Sequence, residues 1–451
     1  MKSQRSDAAP IRTSPFLVIF LLSLLLRLLY LASRWSALPY WNVDALGYHQ
    51  LALNLLERGI FSLNSHPPFQ PDAIRVPGYP VFTALTYSIA GASPRVVLVM
   101  QAVLDSLTTL LAMGIALKLT RSRRATIISG VLYAVCPLAW RYCAELYVET
   151  VLACAIAAVY FGLAHIMEQG DTLSILGPSV LGVACAFSLY VKANVLLLPI
   201  MVSLVLWIKG SFRQAVVSVV TLILLIAPWV IRNTIVFGRP MLSTVFENNL
   251  ARVSAPATLA ELRRENVAPW TPRWEELFLE VVDAAAVKNP VLFAAPMDEL
   301  TPRQIDQVQI ETARVARDII TRHPAAFVTS HVRGAFRGLL PQGHRFWFAQ
   351  LSGQTWDSVM PNGMMTLLLS RRWRDTPPLA LALFTVFVLI YALGLAVTLR
   401  GAWRLCHSDP VIASAMLLFI GYMIILPGPI AYERFQVPIM PLVLVLTACV
   451  F

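Results

Sequence analysis

Long apolar runs separated by short polar loops constrain this chain more than any other feature. Ten runs approach the length of about 20 residues that a helix needs to cross a bilayer. They span residues 14–33, 94–119, 125–140, 150–167, 173–190, 194–208, 215–231, 378–399, 410–426 and 437–451. The runs lack the alternation of a membrane β-barrel, and only 14% of the residues are charged, against about 25% in soluble domains. The sequence therefore predicts an all-α, polytopic membrane protein with about ten transmembrane helices.

The lysines and arginines of the short loops predict the orientation of these helices. They cluster after the second, sixth and eighth runs, at Lys118, Arg121, Arg123, Arg124, Lys209, Arg213, Arg400 and Arg404. Loops rich in these residues stay on the cytoplasmic side. We therefore expect the loop that follows the first helix, and the polar segment 241–377, to lie on the outer, periplasmic face of the inner membrane. This divides the chain into a transmembrane module at 1–240, a periplasmic segment at 241–377 and C-terminal transmembrane helices at 378–451.

Composition argues against several other classes of protein. The net charge is +11, but the sequence has no soluble basic face of the kind that nucleic-acid binding requires. Most of the six cysteines lie in or beside apolar runs, and segment 241–377 has none, so we expect no disulfide framework and no metal site. The first apolar run is longer than the core of a cleaved signal peptide, which predicts a retained helix.

Two short helices are predicted in the first outer loop. Residues 44–58 carry leucines at helical spacing and are followed by Gly59, a residue typical of helix ends. Residues 80–90 form a second apolar stretch that is too short to span, so both helices are expected to lie at the membrane interface. In the polar segment, residues 300–322 predict an amphipathic helix capped by Thr301, and residues 327–339 predict another. The segment as a whole is predicted to be mixed or helical.

Asp44 is the first candidate for chemistry. A carboxylate just outside a helix end can serve as a general base, but it can also cap the helix by accepting backbone N–H bonds. From the residue alone the cap is the favoured interpretation, although the two roles are compatible. Arg75 precedes a Pro-Gly-Tyr-Pro turn and suits a phosphate, or else a lipid headgroup. Glu145 and Glu149, four residues apart, can share a helical face or belong to a solvated loop.

These candidates share one predicted location, the outer ends of the helices. The set is Asp44, Arg75, Glu145, Glu149, Lys192, Arg232, Asn233, Glu433 and Arg434. A transporter more often places such residues near the midplane of the membrane. Only Arg27 and Asp105 are predicted within the bilayer, and we expect them to form a structural pair, with proton relay as the alternative.

Several motifs, in this order and spacing, resemble polytopic glycosyltransferases of the C-type fold. The resemblance is to the bacterial branch of the protein O-mannosyltransferase family, which is similar to the lipid A aminoarabinose transferases. The matching features are Asp44 with Tyr48 and a leucine-rich helix, Arg75 before Pro77–Pro80 with Tyr79, Pro137 with Arg141 and Glu149, Lys192, the Pro-Trp-x-x-Arg-Asn sequence that ends in Arg232 and Asn233, and Arg434 at the start of a proline-containing helix. The resemblance covers residues 14–240 and 376–451 but not the polar segment. Arg75 replaces the lysine common in the family.

The resemblance implies a function. It implies a sugar donor on a polyprenyl phosphate, inversion at the sugar carbon, no cofactor, and catalysis by Asp44 and Glu149. It further implies substrate binding by Tyr48, Arg75, Tyr79, Arg141, Lys192, Arg232, Asn233 and Arg434. We therefore predict a membrane glycosyltransferase that acts on a lipid, glycan or protein acceptor. The alternatives are a transporter or flippase of a lipid-linked solute, and a non-catalytic scaffold that binds polyprenyl phosphate.

Overall fold

The structure is a computed structural model that describes residues 14–39, 41–170, 174–339, 348–349, 351–354 and 377–451. Within these ranges the fold is helical, and the only bridge between extended residues joins Ser62 to Pro71. The transmembrane module contains α1 Ser14–Ser33, α2 Val43–Arg58, α3 Gly78–Ala90, α4 Pro94–Thr120, α5 Arg123–Ala134, α6 Pro137–Cys143, α7 Glu149–Gln169, α8 Leu176–Val191, α9 Leu197–Lys209 and α10 Phe212–Phe237. The predicted all-α class is confirmed.

The remaining helices follow α10. They are α11 Val245–Asn249, α12 Ala255–Leu262, α13 Pro272–Lys288, α14 Pro302–Arg322, α15 Pro324–Leu339, α16 Pro378–Ser408, α17 Pro410–Ile425 and α18 Met440–Ala448. A π-helical turn, Leu250–Ser254, joins α11 to α12, and a 3-10 helix, Glu433–Ile439, precedes α18. The described part of the polar segment is therefore helical.

The predicted number of ten spans is not confirmed. Each predicted apolar run is helical, but among the described residues only α1, α4, α7, α10 and α16 are long and apolar enough to cross a bilayer. A sixth span results if α5 and α6, which meet at a 49° bend, are counted together. Pro137 explains this break, since proline is tolerated in the first turn of a helix but not in its interior.

A core of apolar side chains holds the long helices together. It includes Ile156 and Leu163 of α7, Leu198 of α9, Met416 of α17 and Leu446 of α18, all 1% exposed or less. Because α7 runs from Glu149 to Gln169, its two ends lie roughly 30 Å apart. The bundle therefore has two faces separated by about the thickness of a hydrocarbon core.

The predicted structural pair inside the bundle is confirmed. Arg27 Nε of α1 donates to Asp105 Oδ2 of α4 at 2.5 Å, and both residues are fully buried. The second carboxylate oxygen accepts from the Tyr133 hydroxyl at 2.6 Å, and the guanidinium also donates to Ser23 Oγ at 2.6 Å. Such bonds offset the cost of burying two charges, so the pair joins α1, α4 and α5.

The two short helices predicted in the loop that follows α1 both form, as α2 and α3. Gly59 ends α2 with φ 68°, a conformation that suits glycine. The capping interpretation of Asp44, however, is wrong. Asn42 is the N-cap, and its Oδ1 accepts from the backbone N–H groups of Asp44 and Ala45 at 3.0 Å each. The Asp44 side chain is thus available for other contacts.

Helices α11–α15 pack on one another and on the bundle. The predicted cap of α14 is confirmed, because Thr301 and Gln304 form a reciprocal capping box. The following helix begins at Pro324, three residues before its predicted start. Arg239, just after α10, donates to both oxygens of Asp306 in α14 at 2.7 and 2.9 Å. This bidentate pair fixes α14 to the C-terminal end of α10.

Candidate active site

Asp44 lies in the first turn of α2 and faces two arginines. Its Oδ2 accepts from Arg434 Nη1 at 2.7 Å, and its Oδ1 lies 3.5 Å from Arg75 Nη2. The carboxylate side chain remains 38% exposed. The partly accessible carboxylate can contact an incoming hydroxyl group, and the two arginines beside it can bind an anion.

Arg75 owes its position to three neighbours. Its backbone N–H donates to Asp72 Oδ2 at 2.8 Å, which orders the turn. The guanidinium lies 5.3 Å from the centroid of the Tyr48 ring, a cation–π distance. It also passes over Gly47, where a Cβ atom would come within 2.8 Å of Nη2. The absence of a side chain at Gly47 therefore lets Arg75 approach Asp44.

Glu149 begins α7 and is fully buried. Its Oε1 accepts from Lys192 Nζ at 3.0 Å and from Arg434 Nε at 2.8 Å, whereas Oε2 has no hydrogen-bond partner among the described residues. Because a buried carboxylate requires compensating cations, Glu149 holds Lys192 and Arg434 in place at the N-terminal end of α7.

Arg434 is the centre of the cluster. It bonds Asp44 through Nη1 and Glu149 through Nε, and its guanidinium stacks 3.9 Å from the centroid of the Tyr147 ring. Although burial lowers its pKa, the two carboxylates outweigh this effect, so the pKa of Arg434 is raised well above its usual value. Arg434 is therefore a permanent cation shared between an accessible and a buried carboxylate.

These contacts also determine the protonation of Asp44. Burial raises the pKa of the carboxyl, but Arg434, and after it Arg75 and Lys192, lower it more, so the pKa lies below the ordinary value. Asp44 is therefore ionised at neutral pH. The same cations make it a weak base as long as they stay paired with it.

Two further predicted residues surround this cluster. Arg141 pairs with Glu433, the neighbour of Arg434, and lies 3.5 Å from Glu145. Tyr79 is buried, donates to Gln101 Oε1 at 2.6 Å and packs edge-to-face on Tyr48. Both residues contact neighbours of the arginines that bind Asp44 and, among the described contacts, do not reach Asp44 themselves.

Arg232 and Asn233 lie beside the cluster rather than within it. Arg232 lies 4.8 Å from the centroid of the Trp229 ring and donates to Asn233 Oδ1 at 2.7 Å. The Asn233 amide is buried and donates to the carbonyl oxygens of Met241 and Leu242 at 2.9 and 3.3 Å. These contacts hold the turn after α10, which gives Asn233 a structural position.

Sequence reasoning missed Asp72, Gly47 and Tyr147. Asp72 lies three residues before Arg75, a spacing at which an Asp side chain can bond a nearby backbone N–H group, so this contact was open to inference. Gly47 and Tyr147 act through contacts with Arg75 and Arg434, which only the folded chain brings close. Among the described residues, no group of three or more histidines, cysteines, aspartates or glutamates is arranged to hold a metal ion.

A known protein family matches part of the chain that carries the site. Residues 66–231 match the family described as dolichyl-phosphate-mannose-protein mannosyltransferase. The predicted family resemblance is confirmed there. This region contains Arg75, Arg141, Glu149 and Lys192, whereas Asp44 and Arg434 lie outside it. Curated proteins offer no match.

Solved structures that are similar to this chain include proteins from two organisms. The archaeal oligosaccharyltransferase AglB from Archaeoglobus fulgidus, in complex with an inhibitory peptide and a dolichol-phosphate, is 14% identical with a TM-score of 0.48, and the match covers 97% of this chain and 49% of that one. ArnT from Cupriavidus metallidurans, bound to undecaprenyl phosphate, is 15% identical with a TM-score of 0.40, covering 94% of this chain and 78% of that one. The chain thus spans about half the length of AglB.

Proposed function

We propose that this chain is a multi-pass inner-membrane glycosyltransferase whose active site faces the periplasm. It transfers a sugar from a polyprenyl-phosphate donor to a hydroxyl group of an acceptor. The observation that carries the proposal is the sharing of Arg434 between Asp44 and Glu149, with Arg75 beside Asp44. The match to a family named for dolichyl-phosphate-mannose supports the choice of donor.

The donor phosphate binds to the cations of the cluster. Arg75 and Arg434 are fork-shaped donors suited to phosphate oxygens. When a phosphate accepts from them, their attraction to Asp44 weakens and its pKa rises toward the ordinary value. Donor binding therefore converts Asp44 from a paired anion into a better base.

The acceptor hydroxyl then attacks the sugar carbon from the side opposite the phosphate. Asp44 takes the hydroxyl proton as the new carbon–oxygen bond forms. The bond between the sugar carbon and the phosphate oxygen breaks, and its electron pair stays on the polyprenyl phosphate. Arg75, Arg434 and Lys192 stabilise the charge that develops there, and a single displacement inverts the configuration at the sugar carbon.

Glu149 serves this reaction as a positioning residue. The family resemblance places it among the catalytic residues, and its complete burial and its bonds to Lys192 and Arg434 support a role through those cations. Its negative charge keeps the two cations together when no donor is bound.

The experiment that tests the function uses full-length protein in lipid nanodiscs. Dolichyl- and undecaprenyl-phosphate donors carrying mannose, glucose or aminoarabinose are each added with mixed hydroxyl acceptors, and release of the free lipid phosphate is measured. We expect one donor to be consumed, and its consumption to stop in Asp44→Asn. If every donor stays intact while proteoliposomes move it between leaflets, the protein is a flippase and the proposal is wrong.

A further inference from the structure

A cleft of about 380 Å³ lies between the loop that joins α2 to α3 and the residues around the start of α14. One wall comes from residues 63–74, and the other from residues 297–309, which include the start of α14. Gln70 joins the walls, because its Nε2 donates to the carbonyl oxygens of Asp298 and Leu300 at 3.4 and 3.0 Å. The volume falls within the range of small-ligand pockets, roughly 300–1,000 Å³.

The lining of this cleft differs from the cationic cluster. Its polar side chains are amides and carboxylates, from Asn64, Gln70, Asp72, Asp298 and Gln309, and no lysine or arginine lines it within the described part of the chain. The Gln309 Oε1 atom is buried and has no hydrogen-bond partner among the described residues. A buried acceptor without a partner is costly, and a ligand that donates a hydrogen bond would satisfy it.

The cleft adjoins the proposed catalytic residues. Leu63 lines the cleft and also lies close to Gly47. A Cβ atom placed on Gly47 would lie 3.3 Å from Leu63 Cδ2 and 2.8 Å from Arg75 Nη2, so these two side chains are neighbours. Asp72 connects the two sites directly, because it lines the cleft and accepts the backbone N–H of Arg75. A group bound in the cleft can therefore extend past Leu63 toward Asp44.

We propose that this cleft binds the acceptor, and that the acceptor is an uncharged, hydroxyl-rich glycan. The inference rests on the proposed function and names the acceptor class for that site. Sugar hydroxyls donate to amide and carboxylate oxygens, and the apolar side chains of Leu63, Ile74 and Ile305 suit the carbon faces of a sugar ring. An acceptor carrying phosphate would meet Asp72 and Asp298 in a cleft that no lysine or arginine lines among the described residues, and like charges repel.

The test compares two glutamines of α14. Gln309→Leu removes the unpartnered oxygen in the cleft, and Gln307→Leu makes the same change on the exposed side of the helix. The probes are a neutral mannose trisaccharide, the same trisaccharide bearing a terminal phosphate, and a serine- and threonine-rich peptide. Binding of each to the full-length protein in nanodiscs is measured by calorimetry without donor, and donor consumption is measured separately.

We expect the neutral trisaccharide to bind most tightly. Its affinity should fall about tenfold in Gln309→Leu, the scale of one buried hydrogen bond, and stay unchanged in Gln307→Leu. Preference for the phosphorylated sugar or the peptide, or equal binding by both variants, overturns the inference.

The same measurements separate this inference from the proposed function. If donor is consumed but binding of the trisaccharide does not depend on Gln309, the proposed function holds and the glycan-binding cleft is ruled out. Binding that depends on Gln309 without consumption of any donor supports the cleft and contradicts the transferase.

Discussion

Arg434 donates a hydrogen bond to the carboxylate of Asp44 at 2.7 Å across 390 positions of sequence. The same guanidinium bonds the buried Glu149 at 2.8 Å. One arginine from the C-terminal part of the chain thus connects α2 with the start of α7. Four predictions follow from the surroundings of this contact.

Asp44→Asn should leave folding near wild type and reduce turnover by roughly 10²–10⁴-fold, the usual contribution of a general base. Asparagine keeps the shape of the side chain but cannot accept the hydroxyl proton. The matched control is Asn42→Ala, which removes the observed cap of α2 and should cost about 1 kcal/mol of stability without a comparable loss of turnover. Thermal unfolding and donor consumption are measured for both. Wild-type turnover in Asp44→Asn would remove the catalytic assignment.

Arg75→Ala should weaken donor binding by roughly 1.5–3 kcal/mol, the range for hydrogen bonds to charged groups. Arg75→Lys should restore part of the loss, because it keeps the charge but not the fork. Arg58→Ala is the control, since Arg58 ends α2 and pairs with the exposed Glu57. Binding of the lipid donor is titrated for all three variants. Equal affinities for wild type and Arg75→Ala would show that this arginine does not bind phosphate.

Glu149→Gln should destabilise the protein by about 3–5 kcal/mol, because it removes the buried carboxylate that Lys192 and the buried Arg434 share. Glu168→Gln is a control on the opposite end of α7. The Glu168 side chain is 39% exposed, and its ion pair with Lys118 should contribute at most about 1 kcal/mol. The midpoints of thermal unfolding are compared in the same detergent. Similar losses in the two variants would contradict the positioning role of Glu149.

The pH dependence of catalysis should reveal the pairing of Asp44. Because its pKa in the free protein is lowered, the base stays ionised, and kcat/KM should stay constant from neutral pH down to the ordinary pKa of an aspartate and fall only below it. The ionised carboxylate likewise stabilises the fold above its unfolded pKa, and this contribution is lost as the pH falls through the lower folded value. When the donor phosphate binds to the same arginines, they lower the pKa of Asp44 less. The acid limb of kcat should therefore lie at higher pH than the acid limb of kcat/KM.

Rate profiles from pH 3 to 8 at low and saturating donor measure both limbs. Arg434→Gln removes one of the cations that lower the pKa and should move the kcat/KM limb to higher pH. Coincident limbs in the wild type would show that donor binding does not release Asp44 from its cations.

Local sequence patterns determined the helices of this protein and several of their ends. The apolar runs, the Thr301 capping box and the Gly59 terminus were all predictable, because helical hydrogen bonds and caps join residues only a few positions apart. The same patterns placed Asp44, Arg75 and Glu149 at one end of the bundle, since alternating spans bring successive loops to alternating faces.

Only the tertiary structure decided which of these charged residues meet. The bonds from Arg434 to Asp44 and to Glu149 depend on how distant helices pack. The approach of Arg75 to Asp44 likewise requires the open space over Gly47. A side-chain contact forms where two surfaces meet in three dimensions, and the spacing of residues along one helix carries no information about the helix that will face it.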